Sequence, residues 1–121
     1  MKALLSALLL LAVMPLQAAN EQLEGTIEKG RLIFHATGCV LCHTDWENNG
    51  EPLAGGYALE TDFGIFYSPN ITPDRETGIG SWSDEDFIRA MQKGVSPQGE
   101  HYYPSFPYTA YTKMRRDDVL A

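Results

Sequence analysis

The sequence predicts a small, mainly helical domain with long irregular connections and a short final helix. Apolar residues recur at helical spacing within residues 20–37, and a second apolar face follows a serine in a helix-capping pattern at residue 83. Between these segments, glycines and prolines interrupt residues 44–73 repeatedly. Such a long irregular stretch is uncommon in a compact domain unless it wraps around something.

The N-terminal segment Met1–Ala19 has the pattern of a secretory signal peptide. Lys2 supplies the positive charge, Ala3–Met14 is apolar, and small residues follow. The apolar stretch is shorter than the roughly 20 residues of a membrane-spanning helix. We therefore expect export, cleavage near residue 19 and one mature domain over residues 20–121, with an uncleaved membrane anchor as the alternative.

Local signals place the individual elements. The first helix is expected over Asn20–Thr37 and ends at Gly38, and Gly30 in its middle allows close contact with another helix. Ser83 is expected to cap a helix that ends at Gly94.

Two further elements are weaker in the sequence. Ile65–Tyr67 is a candidate short strand. Met114–Ala121 begins a last helix of about two turns, too short to be stable alone. This length indicates either a truncated chain or a domain that needs no full closing helix.

The charge of the chain limits its partners. Sixteen acidic and nine basic residues give a formal net charge of −7. This balance argues against nucleic acid and anionic membrane surfaces as ligands. It favours either steering toward a basic docking patch or solubility alone.

Cys39-Val40-Leu41-Cys42-His43 is the most informative segment of the chain. C-x-x-C-H is the attachment signature of a c-type haem. Cys39 and Cys42 can form thioethers with the haem vinyl groups, and His43 can then bind the iron as proximal ligand. One such motif predicts one covalent haem c.

Other interpretations of the two cysteines are weaker. A dithiol redox pair is expected in a βαβ context that is not visible here. A zinc site has only His35 and His101 as further nitrogen ligands beside the motif. A disulfide between residues this close would close a very small loop and stabilise little.

The chain resembles the cytochrome c subunits of bacterial membrane-associated dehydrogenases, such as alcohol and gluconate dehydrogenases. The resemblance covers nearly all of residues 20–121. The Ser-Pro-Asn-Ile-Thr-Pro-Asp segment joined to Thr-Gly-Ile-Gly is its most specific part. The matching segments are Gly38–Thr44, Leu53–Gly56, Thr61–Gly64, Tyr67–Asp74, Thr77–Gly80, Trp82–Ser83, Asp86–Phe87 and Tyr103–Tyr108.

The resemblance implies an all-α, cytochrome c-like fold that wraps the haem. It also implies a periplasmic electron carrier, not an enzyme, that passes electrons from a dehydrogenase toward the respiratory chain. The larger members carry three such domains, whereas this chain has a single haem motif. Members also continue the C-terminal helix, which packs across the N-terminal helix near Gly30 and Phe34.

The distal iron ligand is left open by the sequence. Many members of the family place methionine between two prolines, but this chain has Phe106 there. Met114 is the first candidate from its position, and His101 is the second because imidazole also binds iron well. An open sixth position is the third, and it would indicate a haem enzyme or sensor.

Aromatic residues are candidates for the walls of a haem pocket. Trp82, Tyr67 and Phe106 are assigned to it, with Phe66 and Tyr103 as further candidates. The Trp82 indole could donate its N–H to a haem propionate, since a buried indole N–H usually finds an acceptor. The chain shows no constellation of acid, base and nucleophile.

Overall fold

The structure is a computed structural model that describes residues 2–121, with side chains from Leu16 onward. Its helices and strands are α1 (Lys2–Thr37), α2 (Cys39–Cys42), β1 (Ala58–Thr61), β2 (Gly64–Tyr67), α3 (Asp84–Lys93), a 3-10 turn (Tyr108–Ala110) and α4 (Arg116–Val119). The described chain is therefore mostly helical, and long irregular segments join the helices, as the sequence predicts.

A two-stranded antiparallel sheet adds to the helices, so an all-α class is too narrow a description. The predicted strand at Ile65–Tyr67 lies within β2, and β1 is its partner, with Leu59 opposite Phe66. In the connecting turn the Thr61 hydroxyl donates to the Gly64 carbonyl at 2.8 Å. Gly64 has a φ of 122°, a left-handed conformation that favours glycine.

Helix α1 runs without a break through residue 20, where the sequence predicts a new helix to begin. Its end at Thr37 and the left-handed Gly38 (φ 68°) agree with the prediction. The predicted signal segment, residues 1–19, includes Met1 and the side chains up to Pro15, which lie outside the described residues. It stays a prediction. Within the described residues, no helix combines the length and the apolar character needed to span a membrane.

Helix α3 is defined by the caps that its sequence predicts. The Ser83 hydroxyl accepts from the Asp86 backbone N–H at 3.2 Å, and the Asp86 carboxylate accepts from the Ser83 N–H at 3.1 Å. Gly94 ends the helix in a left-handed conformation, with its N–H donating to the Ala90 carbonyl.

The last helix is one turn, α4, and begins at Arg116 instead of Met114. It packs across α1, where Lys29 pairs with Asp118 and a Cβ on Gly30 would meet the Ala121 backbone. Gly30 therefore allows the close helix contact that the sequence predicts. Among the described side chains the buried apolar residues are Ala90 of α3 and Val119 of α4.

Candidate haem attachment site

The cysteines lie on the single helical turn α2. Gly38 reverses the chain after α1, and the His43 N–H donates to the Cys39 carbonyl at 3.0 Å. Cys39 is half-buried, Cys42 is exposed, and both are free thiols. One turn therefore presents two thiols followed immediately by the imidazole, as covalent haem attachment requires.

The imidazole of His43 is oriented by the backbone of a distant segment. Its Nδ1 lies 2.8 Å from the Pro69 carbonyl oxygen. Because a carbonyl can only accept, Nδ1 carries the proton and Nε2 keeps its lone pair for a metal. A hydrogen bond of this kind fixes the ring and raises its basicity as a ligand.

Three backbone hydrogen bonds hold the Pro69 segment against the motif. Gly55 N–H donates to His43 C=O, Gly56 N–H to Ser68 C=O, and Ile71 N–H to Leu53 C=O, each at 2.9 Å. A Cβ on Gly55 would lie 2.6 Å from the Pro69 carbonyl carbon, so only glycine fits there. The backbone of Gly55 therefore packs closely against the segment whose Pro69 carbonyl orients His43.

The hydroxyl of Thr44 supports the same arrangement from inside. Thr44 follows His43 and is fully buried, and its Oγ1 accepts from the Leu53 N–H at 3.1 Å. A buried hydroxyl needs such a partner, since an unpaired one costs free energy. This bond joins the motif to the loop that carries Gly55.

Tyr111 connects the C-terminal segment to a predicted pocket residue. Burial raises the pKa of the Tyr111 hydroxyl above its ordinary value. The Tyr111 ring centroid lies 6.1 Å from that of Phe106. Phe106, a predicted pocket residue, therefore packs near Tyr111.

The two candidate distal ligands lie in different surroundings. Met114 is half-buried; its N–H donates to the Tyr111 carbonyl at 3.0 Å and its carbonyl accepts from Gln92 of α3 at 2.8 Å. His101 is exposed and pairs through its backbone with Val95 in an isolated antiparallel bridge. Of the two, Met114 is the less exposed and is held by two hydrogen bonds of its own backbone.

The other predicted pocket residues, Trp82 and Tyr67, have different surroundings. Trp82 is half-buried and lines a cavity of about 210 Å³ with Phe87 and Leu120, and no residue of the motif lines that cavity. Tyr67 is exposed, whereas its neighbour Phe66 stacks on Tyr103 with ring centroids 4.0 Å apart. The contacts do not join Trp82 or Tyr67 to the motif.

Sequence reasoning missed Pro69 and Tyr111. Pro69 acts through its backbone carbonyl, and side-chain chemistry does not signal that role. Tyr111 follows the proline-rich segment, but nothing in its spacing points to a place beside Phe106.

The donor set of this site fits a c-type haem. Two free thiols, an imidazole with its Nε2 lone pair available, and the aromatic side chains of Phe106 and Tyr111 match the thioether and axial-ligand chemistry of haem c. Cys39, Cys42 and His43 would hold the group. Across the described side chains, no cluster of three or more His, Cys, Asp or Glu is placed to hold a bare metal ion.

Comparison with known proteins gives the relatives of the chain. It is 48% identical over 95 residues to a component of the nicotinate dehydrogenase of Pseudomonas putida, covering 78% of this chain and 8% of the relative. It is 47% identical over 100 residues to a diheme cytochrome c-type protein of Cereibacter sphaeroides, covering 80% and 34%. It is 38% identical over 103 residues to the cytochrome c subunit of the quinone alcohol dehydrogenase of Gluconobacter oxydans, covering 85% and 21%.

The chain is homologous to cytochrome c subunits of dehydrogenases. The resemblance predicted from its motifs is confirmed. The chain spans about a third or less of the length of these three relatives. No family model matches it.

Proposed function

We propose that this chain carries single electrons through one haem c, bound covalently by Cys39 and Cys42 with His43 as proximal iron ligand. The observation that carries the proposal is the hydrogen bond from His43 Nδ1 to the Pro69 carbonyl at 2.8 Å, which leaves Nε2 as the metal-binding nitrogen of a C-x-x-C-H motif. The single motif supports a count of one haem. Homology to cytochrome c subunits supports the same assignment.

The two cysteines and the histidine of the motif have different tasks in this function. Bound haem supplies a reversible one-electron couple at its iron. The thiols fix the group to α2, and the Pro69 carbonyl keeps the His43 ring from rotating. The hydrogen bonds made by Gly55 and Gly56 limit movement of that carbonyl, so His43 would keep one ring orientation while it holds the haem iron.

Met114 is proposed as the distal ligand, with His101 as the alternative. The backbone bond to Tyr111 and the Gln92 bond restrain Met114 in a half-buried position, whereas His101 is exposed, which supports the first choice. A thioether ligand raises the reduction potential relative to a second imidazole.

Replacement of Met114 by alanine tests this ligand. We expect Met114→Ala to lose the weak far-red sulfur–iron band of the ferric protein and to lower the reduction potential, while Met91→Ala on α3 keeps both. Met91 is a suitable control because it is also a half-buried methionine. A Met114→Ala protein with an unchanged ferric spectrum would move the assignment to His101.

The proposed partners are a dehydrogenase component that donates electrons and a respiratory-chain protein that accepts them. The names of the relatives support a dehydrogenase, and the acidic balance of the chain supports protein partners over nucleic acid. The pattern of Met1–Ala19 supports export to the periplasm, where haem c is attached in bacteria.

A potentiometric titration of the purified, exported protein tests the function. We expect a reversible one-electron transition, with the reduced protein reoxidised by a small inorganic oxidant without loss of haem. A protein that cannot be reduced and reoxidised reversibly would refute the role of electron carrier. Fast binding of carbon monoxide or cyanide by the resting protein would instead indicate an open iron position.

A further inference from the structure

The outward side of the β-hairpin is an apolar surface with nothing packed on it in the described chain. The register places Tyr67 opposite Ala58 and Ile65 opposite Glu60, so these four side chains share one side of the sheet. Tyr67 is 67% exposed and Ile65 56% exposed. The opposite side carries Phe66, which stacks on Tyr103. We call the side formed by Ala58, Glu60, Ile65 and Tyr67 the hairpin face.

More apolar surface lies close to the hairpin face. Phe63 in the connecting turn is 83% exposed, the largest exposed fraction among the large apolar side chains described. Exposed apolar side chains grouped in this way are typical of protein interaction surfaces, whereas isolated ones need no explanation.

An acidic groove of about 650 Å³ adjoins the hairpin face and shares Ala58, Glu60 and Tyr67 with it. Asp45 and Glu47 line its other wall, and no Lys or Arg is among its lining residues. Within the described side chains, no lysine or arginine forms an ion pair with these three carboxylates. Negative charge therefore lies along one edge of the hairpin face.

The groove lies beside the segment that carries His43. Asp45 is two residues beyond His43, and the lining residue Gly56 follows Gly55, whose N–H donates to the His43 carbonyl at 2.9 Å. A partner seated in the groove would contact Gly56, whose chain neighbour Gly55 is hydrogen-bonded to the haem motif. Electron exchange between proteins needs such close approach.

We propose that the hairpin face and its acidic groove bind a redox partner protein whose surface presents apolar side chains surrounded by lysines and arginines. The proposal rests on the proposed function. A second copy of this chain would bring two acidic rims together, and an anionic membrane would also be repelled, so charge favours a basic protein. Apolar contacts at the centre with charged contacts around them match the usual anatomy of an interface.

The test measures electron transfer between the reduced haem-bound protein and an oxidised lysine-rich cytochrome c by stopped-flow absorbance at several salt concentrations. Glu47→Lys with Glu60→Lys should lower the second-order rate constant about tenfold at low salt, with the difference shrinking at high salt. The matched control is Glu24→Lys with Glu100→Lys, which makes the same change in net charge at two exposed positions elsewhere. We expect less than a threefold effect from this control.

An uncharged change separates docking from steering. Ile65→Ser with Phe63→Ser should weaken complex formation at low and high salt alike, and this uncharged variant should be reduced by ascorbate at the wild-type rate. Equal effects of the two charge-reversal pairs would overturn the proposal, because net charge alone would then explain the rates. Self-association of the wild type that the Ile65→Ser, Phe63→Ser variant loses would overturn it in favour of a second copy. A wild-type protein that dithionite cannot reduce would overturn both this proposal and the proposed function.

Discussion

Replacement of Gly55 by alanine should destabilise the protein through the backbone that orients His43. Gly55 has a φ of 80°, where a residue with a Cβ is disfavoured by roughly 1–2 kcal/mol. The new Cβ would also lie 2.6 Å from the Pro69 carbonyl carbon and 2.8 Å from the Asn70 nitrogen. Overpacking of this kind typically adds about 1–3 kcal/mol, so we expect a total loss of roughly 2–5 kcal/mol.

Gly56→Ala is the matched control. Gly56 has a positive φ like that of Gly55, but a Cβ on Gly56 would not collide with a neighbouring segment. Its φ is 88°, and a Cβ there would meet nothing nearer than the Asp45 Cβ at 3.5 Å. The free energy of unfolding should therefore fall by only about 1–2 kcal/mol. The difference between the two variants isolates the contact with the segment around Pro69.

The assay is thermal unfolding of the haem-bound proteins followed by circular dichroism, combined with a potentiometric titration. With about 4 °C per kcal/mol for a domain near this size, the midpoint of Gly55→Ala should lie roughly 4–12 °C below that of Gly56→Ala. Displacement of the Pro69 carbonyl makes the imidazole a poorer donor, so the reduction potential of Gly55→Ala should rise. Equal midpoints and equal potentials in the two variants would refute the reasoning.

Two further predictions concern the helices. Gly30→Ala should destabilise the protein despite the better helix propensity of alanine, because the new Cβ would collide with the Ala121 backbone. The control is Gly25→Ala in the same helix, where a Cβ would meet nothing within 4 Å. This control should stabilise the protein by up to about 1 kcal/mol in the same unfolding assay. Bonds from Ser83 lower the pKa of the Asp86 carboxyl below its ordinary 3.8, so the stability contributed by this carboxylate is present above pH 4 and lost as the pH falls through the lowered pKa. Asp86→Asn should therefore have a lower free energy of unfolding than wild type at pH 7. Denaturant unfolding should show this difference shrinking below about pH 4. A difference that stays constant with pH would contradict the stabilising role of the Asp86 carboxylate in the cap.

Local signals made part of the fold predictable. The caps of α3 depend on residues three positions apart, and the haem motif occupies five consecutive residues, so both could be recognised from short segments. The contact at Gly30 was also foreseen, since a glycine inside a helix usually has a packing reason.

Features that depend on distant contacts could not be predicted. The pairing of β1 with β2 could not be predicted because β1 contains Ala58 and Glu60, residue types that are depleted in strands, although β2 was expected from Ile65–Tyr67. The bond from His43 to Pro69 spans 26 positions and uses a carbonyl that every residue possesses.

The most direct test of covalent haem binding is the visible spectrum of the exported protein, ferric and dithionite-reduced, recorded before and after denaturation and solvent extraction. We predict a sharp, low-spin reduced c-type spectrum, and we predict that the haem stays with the chain after unfolding. The double variant Cys39→Ser, Cys42→Ser should not retain haem after unfolding. A wild-type protein that carries no haem, or that releases it on denaturation, would contradict the account.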